Sequence, residues 1–271
     1  LIVWTGLLLR VEDEAQLAFV LGHEVGHYVE RHSLARWRRL KSTSNVALAL
    51  QVLGGGLVGA AASLGAYGTL FAFSRDQERA ADMYGLQRLR DMGYDDRRAA
   101  ALWGAVWEEE KVRDRELLSA IFTTHPASAE RRDQLAQLAS GAFNERASEP
   151  YWQAMQPLRN IWLDDEIGRR HYAQSEVLLQ RLRGLPHAEA DSAYYSGEMY
   201  RRRARAGDFE RAVAAYRAAI AGKNPPVLAW RGLGLALRQL GNDADAKQAW
   251  REYLTRAPDA EDRALIESYL Q

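Results

Sequence analysis

The run His23-Glu24-Val25-Gly26-His27 holds the residue types and the spacing in this chain best suited to chemistry. On a helix, side chains four residues apart project from one face, so His23 and His27 can share one metal ion between two imidazoles. Glu24 then stands beside the metal rather than on it, placed to take a proton from a water that the metal activates. The bland reading is two surface histidines on an ordinary amphipathic helix, and context argues against it. Asp13 and Gln16 form a D-x-x-Q capping box that starts a helix ahead of the motif. Ala18, Leu21, Val25 and Val29 make an apolar stripe at helical spacing on the face away from the two histidines. Gly22 and Gly26 weaken such a helix by about 1 kcal/mol each against alanine, which implies that something approaches its backbone closely.

A catalytic zinc takes three protein ligands and keeps one position for water. The best third candidate is Glu78, within Ser74-Arg75-Asp76-Gln77-Glu78-Arg79-Ala80-Ala81-Asp82. Ser74 and Gln77 form another capping box, which puts Glu78 in the first turns of a second helix and Asp82 one turn later on the same face. Gly93 is a natural stop for that helix. From there Glu78 can bind metal while Asp82 accepts a hydrogen bond from a ligand histidine. Taken alone, E-x-x-x-D is an ordinary solvated face; paired with the upstream motif it gains weight.

The run Asp13-Glu14-Ala15-Gln16-Leu17-Ala18 leading to His23–His27, then Arg31-His32-Ser33, then Arg75-x-x-Glu78-x-x-Ala81-Asp82-x-x-Gly85, resembles the HtpX-like zinc metallopeptidases. This gluzincin family also contains the CAAX prenyl endopeptidases. Thr124-His125-Pro126 followed by Arg131 is similar to the family's T-H-P-x-x-x-x-R element. The resemblance covers roughly residues 1–140 and implies one Zn2+ per chain held by His23, His27 and Glu78. It implies Glu24 as general base, Asp82 as an orienting or proton-donating acid, and His125 and Arg131 as residues near the metal. A catalytic domain followed by tetratricopeptide repeats is similar to the family's β-barrel-assembly-enhancing branch, which implies the bacterial periplasm. Family members carry further strands and a helix ahead of Leu1, so the resemblance also implies a missing upstream piece.

Several elements must position these residues. Leu1-Ile2-Val3-Trp4-Thr5-Gly6 reads as a short strand, and Ile2–Thr5 could offer its edge to a substrate main chain or pair with further strands. From Ser42 to Ser74 there is no charged side chain, and 46–73 is dominated by Ala, Leu, Gly and Val. One membrane span there would put Glu78 across the bilayer from His23 and His27, and two spans need about 40 residues. Gly54-Gly55-Gly56 would also interrupt a helix. Two short apolar helices are expected instead, as a buried core element, a lid over the site, or a contact with a membrane surface or partner. Asp95 or Asp96 caps a helix through Ala99, Leu102, Trp103, Val106 and Trp107. Pro126 opens one through Arg131, Leu135 and Leu138, placing His125 at its entrance. There His125 can face the metal, steady a developing oxyanion, or act as a structural cap. His32, five residues past His27 and about 140° around a helix, is not expected to be a ligand. His171 and His187 read as surface or packing residues.

The 271 residues, 47% of them hydrophobic, support two domains with their own cores. Zero formal net charge gives no reason to expect nucleic acid or an anionic surface as principal partner. The lack of cysteine removes thiolate ligands, disulfides and thiol catalysis together, and is compatible with an oxidising compartment.

The expected division is a metallopeptidase domain over 1–142, a linker with degenerate helical repeats over 143–190, and tetratricopeptide repeats with a capping helix over 191–271. Trp230, Leu233, Gly234, Leu237, Gly241, Ala246, Trp250 and Pro258 fit the roughly 34-residue repeat. One period earlier stand Met199, Tyr200, Gly207, Ala212, Tyr216, Asn224 and Pro225. Such repeats stack into a solenoid that holds a protein or peptide partner. Arg201-Arg202-Arg203 with Arg205 reads either as a basic patch for acidic segments or as a solvated helix face.

The fold class is therefore mainly α, with an α+β catalytic part: a zincin-like domain followed by an α-solenoid. The expected function is a zinc endopeptidase in cell-envelope quality control or outer-membrane protein assembly, working by Glu24-assisted attack of zinc-bound water on a peptide bond. The rival is a tetratricopeptide-repeat chaperone or scaffold with a silent or regulated zinc site, which would have no need of Glu24.

Overall fold

The computed structural model describes residues 5–32, 34–35, 37–38, 74–112, 125, 129–142, 149–185 and 188–271. The expected apolar element over 46–73, residues 2–4 of the expected edge Ile2–Thr5, Thr124, Pro126 and residues 143–148 of the expected linker region 143–190 lie outside those residues. Among the described residues all regular structure is helical, and no helix is long and apolar enough to cross a membrane. The chain divides into two compact units, one formed by 1–111 and 115–151, the other by 112–114 and 152–271.

In the first unit, α1 (Thr5–Leu8) occupies part of the expected opening strand, which is a correction. Its backbone groups are satisfied locally: Leu9 N–H donates to Thr5 O, and both Arg10 and Val11 donate to Leu7 O. Arg10 locks this turn by donating to Gly6 O and by a buried 2.6 Å ion pair with Glu109. A chain whose polar backbone is paired within one turn has none left for a ladder there.

Helix α2 (Glu14–Val29) starts as the capping box predicts, with Asp13 Oδ1 accepting from Gln16 N–H at 2.8 Å. Gln16 reaches back one residue further than usual, to Glu12 N–H at 2.8 Å. Helix α3 (Arg75–Asp91) has both arms of its box: Ser74 Oγ accepts from Gln77 N–H, and Gln77 Oε1 accepts from Ser74 N–H. It stops at Gly93, whose φ of 72° suits a residue without Cβ, and Tyr94 N–H closes back onto Leu89 O.

The two helices cross at glycines. A Cβ on Gly85 of α3 would stand 3.0 Å from both His23 N and Phe19 O, and one on Gly26 of α2 would stand 3.0 Å from Tyr84 Cβ. This is the close approach that Gly22 and Gly26 imply, and it selects which face of α2 is buried. Phe19, Val20, His23 and His27 lie inside, whereas Val25 and Val29 of the apolar stripe are exposed. The stripe is thus not the core face, because contact with α3 depends on small residues that hydrophobic spacing does not mark.

Helix α4 (Arg97–Lys111) covers this pair with Ala99, Leu102, Trp103 and Val106, and α5 (Ala129–Leu138) adds Leu135 to the same core. Asp96, fully buried, ties the loop before α4 to the end of α5. It accepts from Ser140 N–H at 2.8 Å and Gly141 N–H at 3.0 Å, and pairs with Arg90 at 2.9 Å.

The second unit runs α6 (Glu149–Gly168, which begins at the boundary), α7 (Tyr172–Leu182), α8 (Glu189–Arg203), α9 (Asp208–Ala221), α10 (Leu228–Gln239), α11 (Asp243–Arg256) and α12 (Arg263–Leu270). From α7 onward each helix packs on the next. Their shared core is Ala212, Tyr216, Trp230, Leu233, Leu237, Ala246, Trp250 and Ile266 with their neighbours. Arg201, Arg202 and Arg203 form ion pairs with Glu198, Asp164, Glu176 and Asp208, so these three arginines form a compensated network rather than a bare basic patch.

Candidate metal centre

Helix α2 presents His23 and His27 on its buried face, and the glycine crossing brings Glu78 of α3 against them. His125, from the segment between α4 and α5, completes the group. One donor atom from each of the four lies within 4.8 Å of every other. His23 Nε2 is 3.1 Å from His27 Nε2 and 3.3 Å from His125 Nδ1. Glu78 Oε1 is 3.1 Å from His125 Nδ1 and 3.4 Å from His27 Nε2. Glu24, on the next position of α2, is part-exposed, with its Oε1 3.4 Å from His125 Nε2.

The outer ends of the two α2 imidazoles are committed elsewhere. His23 Nδ1 lies 2.9 Å from Asp82 Oδ1. Asp82 also accepts from Trp103 Nε1–H at 3.0 Å and from Arg131 twice, at 2.7 Å each. With its oxygens so occupied, the Asp82 carboxylate lies where it can accept from His23 Nδ1. Arg131 is stacked over Trp103, 4.2 Å from the ring centroid, and gives its remaining arm to Glu78 Oε2 at 2.6 Å.

Burial by itself would push the Glu78 carboxyl up, but hydrogen bonds from His125 and His27 and the charge of Arg131 hold it well below the usual carboxylate range. Burial likewise opposes ionisation of Asp82, and Arg131 with His23 outweighs it, holding the group ionised. Burial pushes the His27 imidazole below its ordinary value, against the hydrogen bond to Glu78.

These donors fit a divalent cation. His23 Nε2 stands 3.1 Å from His27 Nε2, and His23 Nδ1 lies 2.9 Å from Asp82 Oδ1 on the far edge of the ring. With both Nε2 atoms deprotonated, a cation between them would remove the repulsion of their lone pairs. Two nitrogens bound to one tetrahedral zinc stand about 3.3–3.4 Å apart, close to this separation. Histidine and carboxylate with no thiolate is also a donor set zinc accepts.

The sequence reading placed His23, Glu24, His27, Glu78, Asp82, His125 and Arg131 near one another, and the structure brings all seven together. It missed Trp103, read only as part of the helix that Asp95 or Asp96 caps, and His32. The latter is buried, with Nδ1 3.0 Å from His27 Nδ1. The only sequence signal for His32 was its place in the Arg31-His32-Ser33 resemblance.

The chain is similar to known metallopeptidases. Residues 1–139 match the model of peptidase family M48. Mitochondrial metalloendopeptidase OMA1 of Arabidopsis thaliana is 34% identical over 138 residues, 51% of this chain and 27% of that protein. OMA1 of Schizosaccharomyces pombe is 30% identical over 166 residues, 59% of this chain and 48% of that protein. Metalloprotease LoiP of Escherichia coli is 30% identical over 138 residues, 49% of this chain and 52% of that protein. The chain thus spans at most 52% of the length of these three relatives. With a four-residue donor cluster inside the matched region, the chain belongs to peptidase family M48, whose members are zinc metallopeptidases.

Proposed function

We propose that this protein is a zinc-dependent endopeptidase of protein substrates, with His23, His27 and Glu78 as the ligands. The observation that carries the reading is the convergence of these donors from two helices with Glu24 beside them. Bound zinc polarises a peptide carbonyl and brings the pKa of a water it holds towards neutrality. Glu24 accepts the proton of the attacking water at its carboxylate and returns it to the leaving amine. Asp82, held ionised by Arg131 and His23, keeps the His23 ring in the tautomer that offers Nε2. His125 has a 14% exposed side chain against 2–3% for the other three donors, so we assign it to the substrate side of the centre.

We also read the helices from α8 to α12 as tetratricopeptide repeats closed by a capping helix, on the strength of the repeat residues and of each helix packing on the next. Their role would be to hold a protein partner or present a substrate. The HtpX-like motifs, joined to such repeats, favour envelope-protein quality control or outer-membrane protein assembly in the periplasm. A silent scaffold would have no use for Glu24 at this position.

The test is zinc content and cleavage of unfolded envelope proteins, compared between the wild type and Glu24→Gln. The variant keeps its zinc and loses about 10²–10⁴-fold in rate, the scale of a general base. Equal cleavage by both forms would refute the assignment of Glu24.

A further inference from the structure

We propose that His32 is a positioning residue for His27: His32 Nδ1 accepts the Nδ1–H of His27 and so turns His27 Nε2 towards the metal donors. The proposal rests on the reading of the cluster as a metal centre. A histidine that binds metal almost always donates its other ring N–H to an acceptor that fixes its tautomer and orientation. His23 has Asp82 for this purpose. For His27 the corresponding atom is Nδ1, on the ring edge opposite the cluster, and 3.0 Å from it lies His32 Nδ1. Two ring nitrogens at that separation share one hydrogen. His27 Nε2 faces His23 Nε2 and Glu78, so the hydrogen belongs on His27 Nδ1 and the lone pair on His32 Nδ1. His32 is then the neutral Nε2–H tautomer.

The backbone is built to make this contact. A continuing helix would swing residue 32 about 140° away from residue 27. Instead α2 ends at Val29, and Arg31 adopts φ 53°, a left-handed conformation uncommon for a residue with a Cβ. Such outliers persist where the surroundings hold them and gather at functional sites. The turn brings the His32 ring to 5.1 Å from the His27 ring, edge-on at 68°. His32 is 8% exposed, although Tyr28 and Val29 just before it are 82% and 51% exposed. The identity of the residue also fits. Glu24, Glu78 and Asp82 already act on the Arg131 cation, and a neutral imidazole orients His27 without adding a further carboxylate.

The experiment measures zinc affinity of the full chain by chelator competition. It compares wild type, His27→Ala, His32→Phe and His32→Asn, with circular dichroism to verify folding. Phenylalanine keeps the ring and removes the acceptor; asparagine places an amide oxygen near the position of Nδ1. We expect His32→Phe to bind zinc about 10- to 100-fold more weakly and His32→Asn to recover most of the loss. In the wild type, ¹⁵N-histidine spectra should show His32 as the Nε2–H tautomer, a readout that needs no variant to fold. The proposal is overturned by His32→Phe binding as tightly as wild type, by His32→Asn as weak as His32→Phe, or by a hydrogen on His32 Nδ1. A wild type that binds no zinc would instead refute the metal centre itself. Affinity lost in His27→Ala but intact in His32→Phe would remove only the role of His32.

Discussion

Each unit of the molecule buries a glutamate that is held ionised, and only one of the two belongs to the candidate metal centre. Glu198 in α8 accepts from Tyr216 Oη–H at 2.6 Å, Arg201 Nη2–H at 2.7 Å and Arg202 Nε–H at 3.2 Å. Every close contact in that group has a hydrogen on one side and a lone pair on the other, so it is complete as it stands. Glu78 in α3 takes an arm of Arg131 on Oε2, but His125 and His27 converge on its Oε1, His23 lies 3.5 Å from its Oε2, and nitrogens of these rings also face one another. Burial and a lowered carboxyl pKa are common to both. The difference lies in the partners: the Glu198 cluster pairs its carboxylate with hydroxyl and guanidinium hydrogens, and the Glu78 cluster gathers four groups that could hold a metal ion. Burial of charge alone is therefore a poor guide to a site, and convergence of acceptors is a better one.

The widest separation between the two clusters should appear on removing one member of each. His27→Ala or Glu78→Ala should abolish most zinc binding and, with it, proteolysis. Tyr216→Phe should leave both at wild-type levels and cost only about 1.5–3 kcal/mol of stability, the range for a hydrogen bond to a charged group. Elemental analysis and a denaturation curve on the same samples check both halves. Zinc retained in both His27→Ala and Glu78→Ala would erase the distinction.

A smaller contrast lies in the arginines. Arg131 is buried beside two buried carboxylates, so Arg131→Leu leaves uncompensated charge and should cost about 3–5 kcal/mol. Arg202 is one-third exposed and shares Glu198 with Arg201; Arg202→Leu should cost under about 1 kcal/mol, as for other solvent-screened pairs. Urea denaturation of the two variants side by side decides it. Similar losses would mean that burial of the first-unit pair carries no special penalty.

The sequence made the local part of this arrangement legible and left the tertiary part hidden. His23 and His27 four apart, the Asp13–Gln16 and Ser74–Gln77 caps and the Gly93 stop all follow from interactions within a turn or two. The burial of α2 does not, because its core face is chosen by the crossing of Gly26 and Gly85, while Val25 and Val29 remain in solvent. His32 was set aside on helical geometry, and that reasoning fails at Arg31, a non-glycine residue in a left-handed conformation that nothing in its identity announces. Trp103 stood only as a member of the helix after Asp95 or Asp96; its indole N–H on Asp82 depends on a contact 21 residues away in sequence. In the second unit the apolar repeat pointed to the packed positions Tyr216, Trp230, Leu233 and Trp250. It said nothing of the partners that neutralise Arg201–Arg203, since these come from three other helix positions as well as α8 itself.

The smallest effect is also the cleanest test of the self-contained cluster, because no metal complicates it. Burial would raise the Glu198 carboxyl, but Arg201 and the Tyr216 hydroxyl hold it below its ordinary 4.5. A carboxyl depressed on folding contributes stability that is fully present above its unfolded pKa and is lost as pH falls through its folded one. Wild-type stability should therefore decline from about pH 5 downward partly through Glu198, and Glu198→Gln should remove that share of the slope. Asp208 and Asp262, whose carboxyls are also lowered by their arginine partners, contribute equally to both proteins and cancel in the difference. Unfolding by urea at a series of pH values should show the wild-type and Glu198→Gln curves separated at neutrality and converging in acid. Curves that stay parallel would mean that Glu198 gains nothing from its arginines on folding, and the Glu198 cluster would then be no more self-sufficient than the Glu78 cluster.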